Sequence, residues 1–246
     1  MCYNISYIEK QLDKYAKRYS NVLPPKWKIN NIINELPVFY FVSGFSHPEL
    51  PVIKHDGTSL FEWGLIPHWT KNAQYANEIK SKTLNAIGET VFEKPSFKSS
   101  IKSKRCLLGI NGFFEWHTYN NKKYPFFIKS INNEMFSLGC IYDSWTDKNT
   151  GEVKNTFSII TTPANDLLGK IHNVKKRMPL IICKDDEPKW IDDKLNEKQI
   201  NKLIKPNSEL NLNAYPVSRF LNYSKNDRNT IKAVEKIEYP ELKNFA

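Results

Sequence analysis

The sequence has few of the features that would place the protein outside the ordinary globular class. It contains only four cysteines, Cys2, Cys106, Cys140 and Cys183, and no C-x-x-C pair, so the spacing suggests neither a zinc site nor a disulfide framework. No apolar run is long enough to cross a bilayer, and no basic segment followed by an apolar one opens the chain. We therefore expect a cytoplasmic protein with no metal and no organic cofactor.

Acidic side chains are fewer than basic ones. The chain carries 36 Lys and Arg against 26 Asp and Glu, a formal net charge of +10. Such an excess favours an anionic partner, most commonly nucleic acid, whereas the simpler alternative is a solvated basic surface. Two clusters of positive charge, in residues 93–105 and 173–178, flank apolar strand-like segments. This local clustering favours nucleic acid as the partner.

Glycine and proline are not enriched, and neither a repeat nor a low-complexity linker interrupts the chain. The length would allow two domains, but no shift in composition marks a boundary, so we predict a single domain over residues 1–246. Six segments rich in β-branched or aromatic residues and bounded by turn residues read as strands. They are 37–45, 105–116, 124–130, 134–145, 155–162 and 177–183.

Three segments read as helices. Apolar side chains recur every three or four positions in residues 6–19, behind a capping-box pattern that begins at Ser6. A short helix follows the fifth strand, with Asn165 or Asp166 as its cap, and another spans roughly 193–204. Because helices are interspersed with strands, the order of elements favours an α+β fold.

Hairpin-length turns connect several of the predicted strands, as in residues 130–134 and 146–152. Many strands joined in this way form antiparallel sheets that bend or close. The predicted architecture is a bent, barrel-like, mainly antiparallel β core surrounded by helices.

Cys2 directly follows Met1. Removal of Met1, which a small second residue normally permits, would leave a cysteine with an α-amine and a thiol on adjacent carbons. An α-amine titrates at about 8 and a lysine at about 10.4, so the terminal amine is the better nucleophile toward an aldehyde at neutral pH. The neighbouring thiol can close the resulting Schiff base into a five-membered thiazolidine, which no lysine can do. A lone Cys2 could equally be a chance residue, so the hypothesis depends on the rest of the sequence.

Six motifs follow Cys2 in an order that supports this hypothesis. Together with Cys2 they resemble the SOS response-associated peptidase (SRAP) family, whose members process abasic sites in single-stranded DNA. The resemblance covers nearly the whole chain and is clearest over residues 2–222. The motifs are WGLIPHW (63–69), KTLNAIGETV (82–91), PSFKSSIKSKRCLLGINGFFEW (95–116), FSLGCIYDSW (136–145), FSIITTPANDLLGKIHNVKKRMPLII (157–182) and YPVS (215–218).

The resemblance implies a catalytic set of four residues. Cys2 matches the N-terminal nucleophile that crosslinks to the ring-opened sugar aldehyde, and Asn85 matches the residue that positions the terminus and the sugar. Glu115 matches the acidic residue beside the α-amine, and His172 matches the histidine that handles protons on the sugar hydroxyl. A carboxylate and an imidazole suit the proton transfers of Schiff-base formation. Without the resemblance, Glu115 could equally lie on the solvent-facing side of an edge strand, and His172 could have a structural role.

DNA contacts follow from the same resemblance. Pro67 and Trp69, with Trp63, could form a wedge or stacking platform for a base, although Trp63 could equally belong to the core. Thr161 and Arg177 match family positions on the DNA-backbone side. The lysines of residues 94–105 could extend a basic groove. His55, His68 and His117 are read as structural.

The sequence departs from the family pattern at three places. Tyr3 and Asn4 follow Cys2, where the family usually has glycine and arginine, and Ile87 stands where it has another arginine. The loop between His172 and Arg177 is also longer, four residues where one is common. Lys175 and Lys176 in this loop could restore the lost positive charge, which is a hypothesis for mutagenesis.

We therefore expect a monomer that binds single-stranded DNA and crosslinks abasic sites through Cys2. Release of Met1 by the protein's own groups and β-elimination at the lesion are further implications of the resemblance, and a host methionine aminopeptidase could equally remove Met1. Two rival functions remain open. One is a cysteine peptidase acting in trans, and the other is a noncatalytic single-strand-binding module.

Overall fold

The fold comes from a computed structural model, which describes residues 2–10, 12–23, 38–206 and 211–242. The strands are β1 (Asn4–Tyr7), β2 (Phe39–Ser43), β3 (Glu49–Lys54), β4 (Gly57–Trp63), β5 (Asn85–Ile87), β6 (Arg105–Ile110), β7 (Gly112–Tyr119), β8 (Lys122–Ser130), β9 (Phe136–Thr146), β10 (Val153–Pro163), β11 (Arg177–Pro179), β12 (Ile181–Ile182) and β13 (Leu212–Pro216). The α-helices are α1 (Leu12–Arg18), α2 (Ala73–Lys80), α3 (Ser100–Ser103), α4 (Asp166–Ile171), α5 (Glu187–Ile191) and α6 (Glu197–Leu203).

Five strands close into a barrel. β10 pairs with β4, β4 with β3, β3 with β6, β6 with β9, and β9 returns to β10. The β4–β10 contact is parallel and the other four are antiparallel. β5 and β11 extend the sheet from β10, and β12 extends it from β9. Closure removes the exposed edges that an open sheet would have, and the predicted α+β fold with a barrel-like core is confirmed.

A second, five-stranded antiparallel sheet has the order β13-β8-β7-β1-β2. β1 is therefore an interior strand of this sheet, hydrogen-bonded to β2 on one side and to β7 on the other. The largest hydrophobic core joins this sheet to the barrel, because it contains Ile5 and Phe113 from the sheet and Leu50 and Phe157 from the barrel. Because Cys2 lies two residues before β1, the pairing of β1 on both sides fixes where Cys2 lies.

The helix predicted for residues 6–19 is wrong in its first half. Residues 4–7 form β1, and α1 begins only at Leu12. Ser6 is fully buried and its hydroxyl donates to the carbonyl of Phe39 at 3.3 Å, so it caps no helix. Pairing on both sides of β1 outweighs the local helical periodicity. Tyr15 and Tyr19 are buried as the predicted apolar face requires.

Two strand predictions and one turn prediction also need correction. The segment 105–116 is two strands in different sheets, β6 and β7, separated by Asn111. The segment 177–183 likewise divides into β11 and β12. The turn 130–134 is not a hairpin, because β8 belongs to the five-stranded sheet and β9 to the barrel, whereas 146–152 does join a hairpin, β9–β10. Pro37, the first residue of the segment 37–45, lies outside the described residues.

The two helices predicted near the C-terminal half are confirmed. Asn165 caps α4, since its Oδ1 accepts from the Leu168 amide at 2.9 Å. α6 begins with a complete capping box between Asn196 and Gln199. Within the described ranges, no helix is long and apolar enough to cross a membrane, and no three His, Cys, Asp or Glu side chains cluster as a metal site would require.

Candidate active site

Cys2 is carried into the core by β1. The residue is fully buried, and the chain beside it is held by the Gly44 amide, which donates to the Tyr3 carbonyl at 2.8 Å. Burial raises the pKa of the Cys2 thiol, and the nearby Glu115 carboxylate acts in the same direction. The thiol is therefore neutral at physiological pH, unlike the activated thiolate of a cysteine peptidase.

Glu115 lies on β7, the strand that pairs with β1. Its side chain is buried among the aromatic residues of that strand, so it is not on a solvent face. Burial raises the pKa of Glu115 to about 8, against a smaller lowering effect of Lys175. A carboxyl group with such a pKa is largely protonated at neutral pH, and it can both donate and accept a proton there.

His172 ends α4 and faces Glu115. Its Nδ1 lies 2.9 Å from the Arg177 carbonyl and 3.5 Å from Oε2 of Glu115. A carbonyl oxygen only accepts, so Nδ1 carries the hydrogen and Nε2 is the basic nitrogen of the neutral ring. Burial lowers the pKa of His172, which favours this neutral form.

Hydrogen bonds to β7 hold the end of α4 over Glu115. The ring of His117 donates from Nδ1 to the Lys170 carbonyl at 3.0 Å. On the other side of His172, the Asn173 amide group donates to the Thr118 carbonyl at 2.8 Å and accepts from the Thr118 amide at 3.0 Å. Because β7 also carries Glu115, these bonds fix the distance between the two candidate catalytic groups.

The long loop 173–176 forms one wall of a cavity of about 250 Å³ over the site. The Lys176 amide donates to the His172 carbonyl at 2.8 Å, and Lys176 takes a left-handed backbone conformation with φ 48°. Lys175 and Lys176 are both exposed, and Lys175 lines the cavity. The cavity lining comprises Tyr3, Asn4, Glu115, Trp116, Thr118, Lys123, His172, Val174 and Lys175.

Asn85 opens β5, which pairs in parallel with β10. Its side chain is only 8% exposed, and within the described residues neither the amide nitrogen nor the amide oxygen has a hydrogen-bond partner. Buried amides are normally satisfied, because an unpaired polar group costs about 1–3 kcal/mol. Such an arrangement is typical of a group that binds a ligand.

Thr161 and Arg177 lie together on neighbouring strands. Thr161 is fully buried, and the Arg177 guanidinium donates to its carbonyl at 2.6 Å and to its hydroxyl at 3.1 Å. The same guanidinium forms two hydrogen bonds to the half-exposed Glu89 carboxylate. Pairing with Arg177 lowers the pKa of Glu89. The sequence motif did not indicate this ion pair. The pair engages Arg177, a residue that the resemblance places on the DNA-backbone side.

The segment 63–69 divides between core and surface. Trp63 is a core residue, stacked on Phe157 with ring centroids 6.1 Å apart, and its indole nitrogen donates to the Leu84 carbonyl at 2.8 Å. Pro67 is buried, whereas Trp69 is 42% exposed. The surface role predicted for this motif therefore falls on Trp69.

The predicted site residues form two connected groups. Glu115 and His172 line the cavity, with the buried Cys2 next to the lining residue Tyr3, and Asn85, Thr161 and Arg177 lie on the adjoining strands β5, β10 and β11. The His172–Arg177 hydrogen bond joins the groups. Sequence reasoning did not find Phe45, an exposed ring 5.0 Å from that of Tyr3, because nothing in its local pattern distinguishes it.

Comparison with known proteins identifies relatives of the chain. A family model described as SOS response associated peptidase (SRAP) matches residues 4–224. Abasic site processing protein YoqW of Bacillus subtilis (strain 168) is 32% identical over 215 residues, covering 81% of this chain and 92% of YoqW. Abasic site processing protein HMCES of Gallus gallus is 31% identical over 186 residues, covering 67% of this chain and 54% of HMCES.

A solved structure also matches this chain in its fold. A crystal structure of a protein from Bacteroides thetaiotaomicron has a TM-score of 0.85 at 37% identity, covering 96% of this chain and 100% of that one. The resemblance predicted from the motifs is confirmed, and the chain belongs to the SOS response associated peptidase (SRAP) family.

Proposed function

We propose that the protein processes abasic sites in DNA in the DNA damage (SOS) response. It binds single-stranded DNA that carries the lesion and forms a covalent thiazolidine with the sugar through Cys2, once Met1 has been removed. The observation that carries the proposal is the contact of Glu115 with His172 at a cavity beside the buried Cys2. The names of YoqW and HMCES support the substrate.

The chemistry begins at the α-amine of Cys2. The neutral amine attacks the C1 aldehyde of the ring-opened sugar, forming a C–N bond and a carbinolamine. Protonated Glu115 donates a proton to the departing hydroxyl, which leaves as water, and the resulting Glu115 carboxylate takes the proton from the nitrogen to give a neutral Schiff base. A carboxyl group with a pKa of about 8 is well suited to this donation at neutral pH.

The thiol acts second. The raised pKa of the Cys2 thiol disfavours a free thiolate that would attack first. Once the imine has formed, the sulfur adds to its carbon, the thiol proton passes to the nitrogen, and the five-membered ring closes. The neutral His172 ring accepts and returns protons at the sugar hydroxyl through Nε2. β-Elimination of the 3′ phosphate from the Schiff base is a competing outcome, which would make the protein a DNA lyase.

Removal of Met1 can use the same groups. Hydrolysis of the Met1–Cys2 bond by the protein itself would make it an autopeptidase, and a host methionine aminopeptidase would give the same terminus. The two rival functions make different predictions. A peptidase acting in trans turns over peptide substrates and ignores abasic DNA, whereas a noncatalytic module binds single strands equally well after Cys2→Ala.

The test uses full-length protein whose loss of Met1 has been verified by intact mass. Wild type, Cys2→Ala and the control Cys183→Ala, in which a partly exposed cysteine is replaced, are incubated with a single strand carrying one abasic site. We expect wild type and Cys183→Ala to give an adduct that survives a denaturing gel, with the mass of protein plus DNA minus one water. Cys2→Ala should give none. No adduct from wild type with Cys2 at the terminus would exclude the crosslinking chemistry.

A further inference from the structure

A buried carboxylate binds His68, the residue that precedes the exposed Trp69. Asp143, on β9, is only 1% exposed. Its Oδ2 accepts from the backbone amide of His68 at 2.8 Å and from the His68 ring nitrogen Nδ1 at 2.9 Å. Its Oδ1 accepts from the Lys104 ammonium at 2.5 Å and from the Ser144 amide at 3.0 Å. One carboxylate thus holds two basic side chains from different parts of the sequence.

The loop that carries His68, residues 64–70, is fixed along its length. The Ile66 amide donates to the Thr156 hydroxyl at 2.8 Å, and the Leu65 carbonyl accepts from the Thr83 hydroxyl at 2.7 Å. At the far end, the Thr70 carbonyl accepts from the Trp145 indole at 2.7 Å. The loop is therefore rigid without the His68 ring.

The His68 ring is nevertheless directed outward. Its side chain is 49% exposed even though Nδ1 is bound to a buried carboxylate, and Lys104 is also partly exposed. Nδ1 faces Asp143, so Nε2 is the nitrogen that remains for a ligand. Lys104 has three N–H donors and uses one of them on Asp143. Two donors on one rigid support, beside an exposed indole, are suited to bind an anion.

We propose that His68 and Lys104 form a phosphate-binding site for the single strand whose base stacks on Trp69. This inference rests on the proposed function, because it assigns the strand a path across the barrel surface. The His68 ring bridges Asp143, through Nδ1, and a phosphate oxygen, through Nε2, and the Lys104 ammonium binds the same phosphodiester. Asp143 is the positioning residue that holds both donors.

This site would extend the basic surface of residues 93–105. Lys94, Lys98 and Lys102 are exposed on the chain that leads to Lys104. The backbone would thus run from these lysines past His68 to the base on Trp69. Such contacts bind phosphate without reading sequence, and each one contributes to the salt dependence of binding.

Fluorescence anisotropy with an unmodified, labelled single strand tests the proposal, because that strand has no aldehyde and cannot crosslink. We expect His68→Ala and Lys104→Gln each to weaken binding about three- to tenfold at low salt. Each should also reduce the slope of log K against log salt by about 0.7, the value for one lost contact to a single strand. His68→Arg, which places a permanent cation with several N–H donors at this position, should restore binding.

The matched control is His55→Ala. His55 is an exposed histidine in the turn between β3 and β4, about 20 Å along β4 from the loop that carries His68. Its replacement should leave both affinity and slope unchanged. Thermal melting separates loss of contact from loss of folding, and if His68→Ala does not fold, His68→Gln replaces it.

Folded His68 and Lys104 variants with wild-type affinity and slope would overturn the proposal. Failure of the wild type to bind the unmodified strand would also overturn it. Formation of the Cys2-dependent adduct with abasic DNA tests the proposed function separately. Failure of the phosphate site can therefore be distinguished from failure of the proposed function.

Discussion

The ring of His172 and the carboxyl group of Glu115 are in contact, with 3.5 Å between Nδ1 and Oε2. One comes from the end of α4 and the other from β7, and both are buried. Burial raises the pKa of Glu115 to about 8 and lowers the pKa of His172 below its ordinary 6.5, so both effects favour the uncharged form. A protonated carboxyl group in contact with a neutral imidazole supplies one proton donor and one proton acceptor, which is the arrangement that general acid–base chemistry requires.

Replacement of Glu115 by Gln should change how stability depends on pH. The pKa of Glu115 is higher in the folded protein, about 8, than the ordinary 4.5, so its protonated form favours folding. That contribution is complete below about pH 4.5 and is lost as the pH rises through 8. Glu115→Gln cannot ionise, so relative to wild type it should gain on the order of a few kcal/mol in unfolding free energy between about pH 5 and 9.

Urea unfolding at several pH values measures this difference. Glu241→Gln is the control, because Glu241 is not buried and its pKa is lowered, chiefly by a hydrogen bond from Tyr124. It should show no relative gain at high pH. A constant difference between wild type and Glu115→Gln across this range would mean that Glu115 does not titrate with a raised pKa.

Asn85→Leu should separate function from stability. The buried amide has no hydrogen-bond partner within the described residues, and leucine has a similar size without the desolvation cost. We expect the unfolding free energy to stay equal or to rise by about 1 kcal/mol, while crosslinking slows by about 10-fold or more. Denaturant melts and a time course of adduct formation give the two quantities.

The comparison variant is Asn165→Ala, which removes the cap of α4. It should lower the unfolding free energy by about 1 kcal/mol. If Asn85→Leu destabilised the protein as strongly as this variant, Asn85 would have a structural role instead.

Glu89→Ala should strengthen DNA binding. In the structure the half-exposed Glu89 carboxylate is bound to the Arg177 guanidinium, so a phosphate must compete with it. Removal of the carboxylate frees the guanidinium and removes a negative charge from the surface. We expect affinity for a single strand to rise about two- to fivefold at low salt, with a steeper salt slope. Unchanged or weaker binding would indicate that Arg177 does not contact the strand.

The double variant Lys175→Ala and Lys176→Ala should weaken binding of the single strand. Both lysines are exposed on the long loop, and Lys175 lines the cavity beside Glu115. Loss of two phosphate contacts should reduce the salt slope by about 1.4. Lys148→Ala, in the β9–β10 turn, is the control. Binding equal to wild type at every salt concentration would remove the hypothesis that these lysines replace the missing arginines.

Local signals predicted those elements whose determinants lie within the element. Asn165 caps α4 as expected, and the hairpin at 146–152 forms as its length suggested. The prediction for residues 6–19 failed because the pairing partner of Ile5 is Phe113, more than 100 residues away. The spacing of apolar residues within 6–19 contains no information about that pairing.

The candidate site was predicted in the same uneven way. The motifs identified Cys2, Asn85, Glu115 and His172 by type, and the contact between Glu115 and His172 follows from the fold. The bond from Asn173 to Thr118 and the Glu89–Arg177 pair were not predicted, since each joins residues that are distant in sequence. Their geometry depends on how β5, β7 and β11 are arranged in three dimensions.

The interior position of β1 has a consequence for the timing of biosynthesis. β7, the strand that pairs with β1 on one side, is made more than 100 residues after it. At about 5–20 residues per second, the ribosome takes roughly 5–20 s to reach β7. During that interval the start of the chain is open to an external aminopeptidase, and afterwards Cys2 is enclosed. Under the proposed function, slow translation would therefore lengthen the time in which a host enzyme can remove Met1, and a chain that folds unprocessed would depend on the proposed self-cleavage.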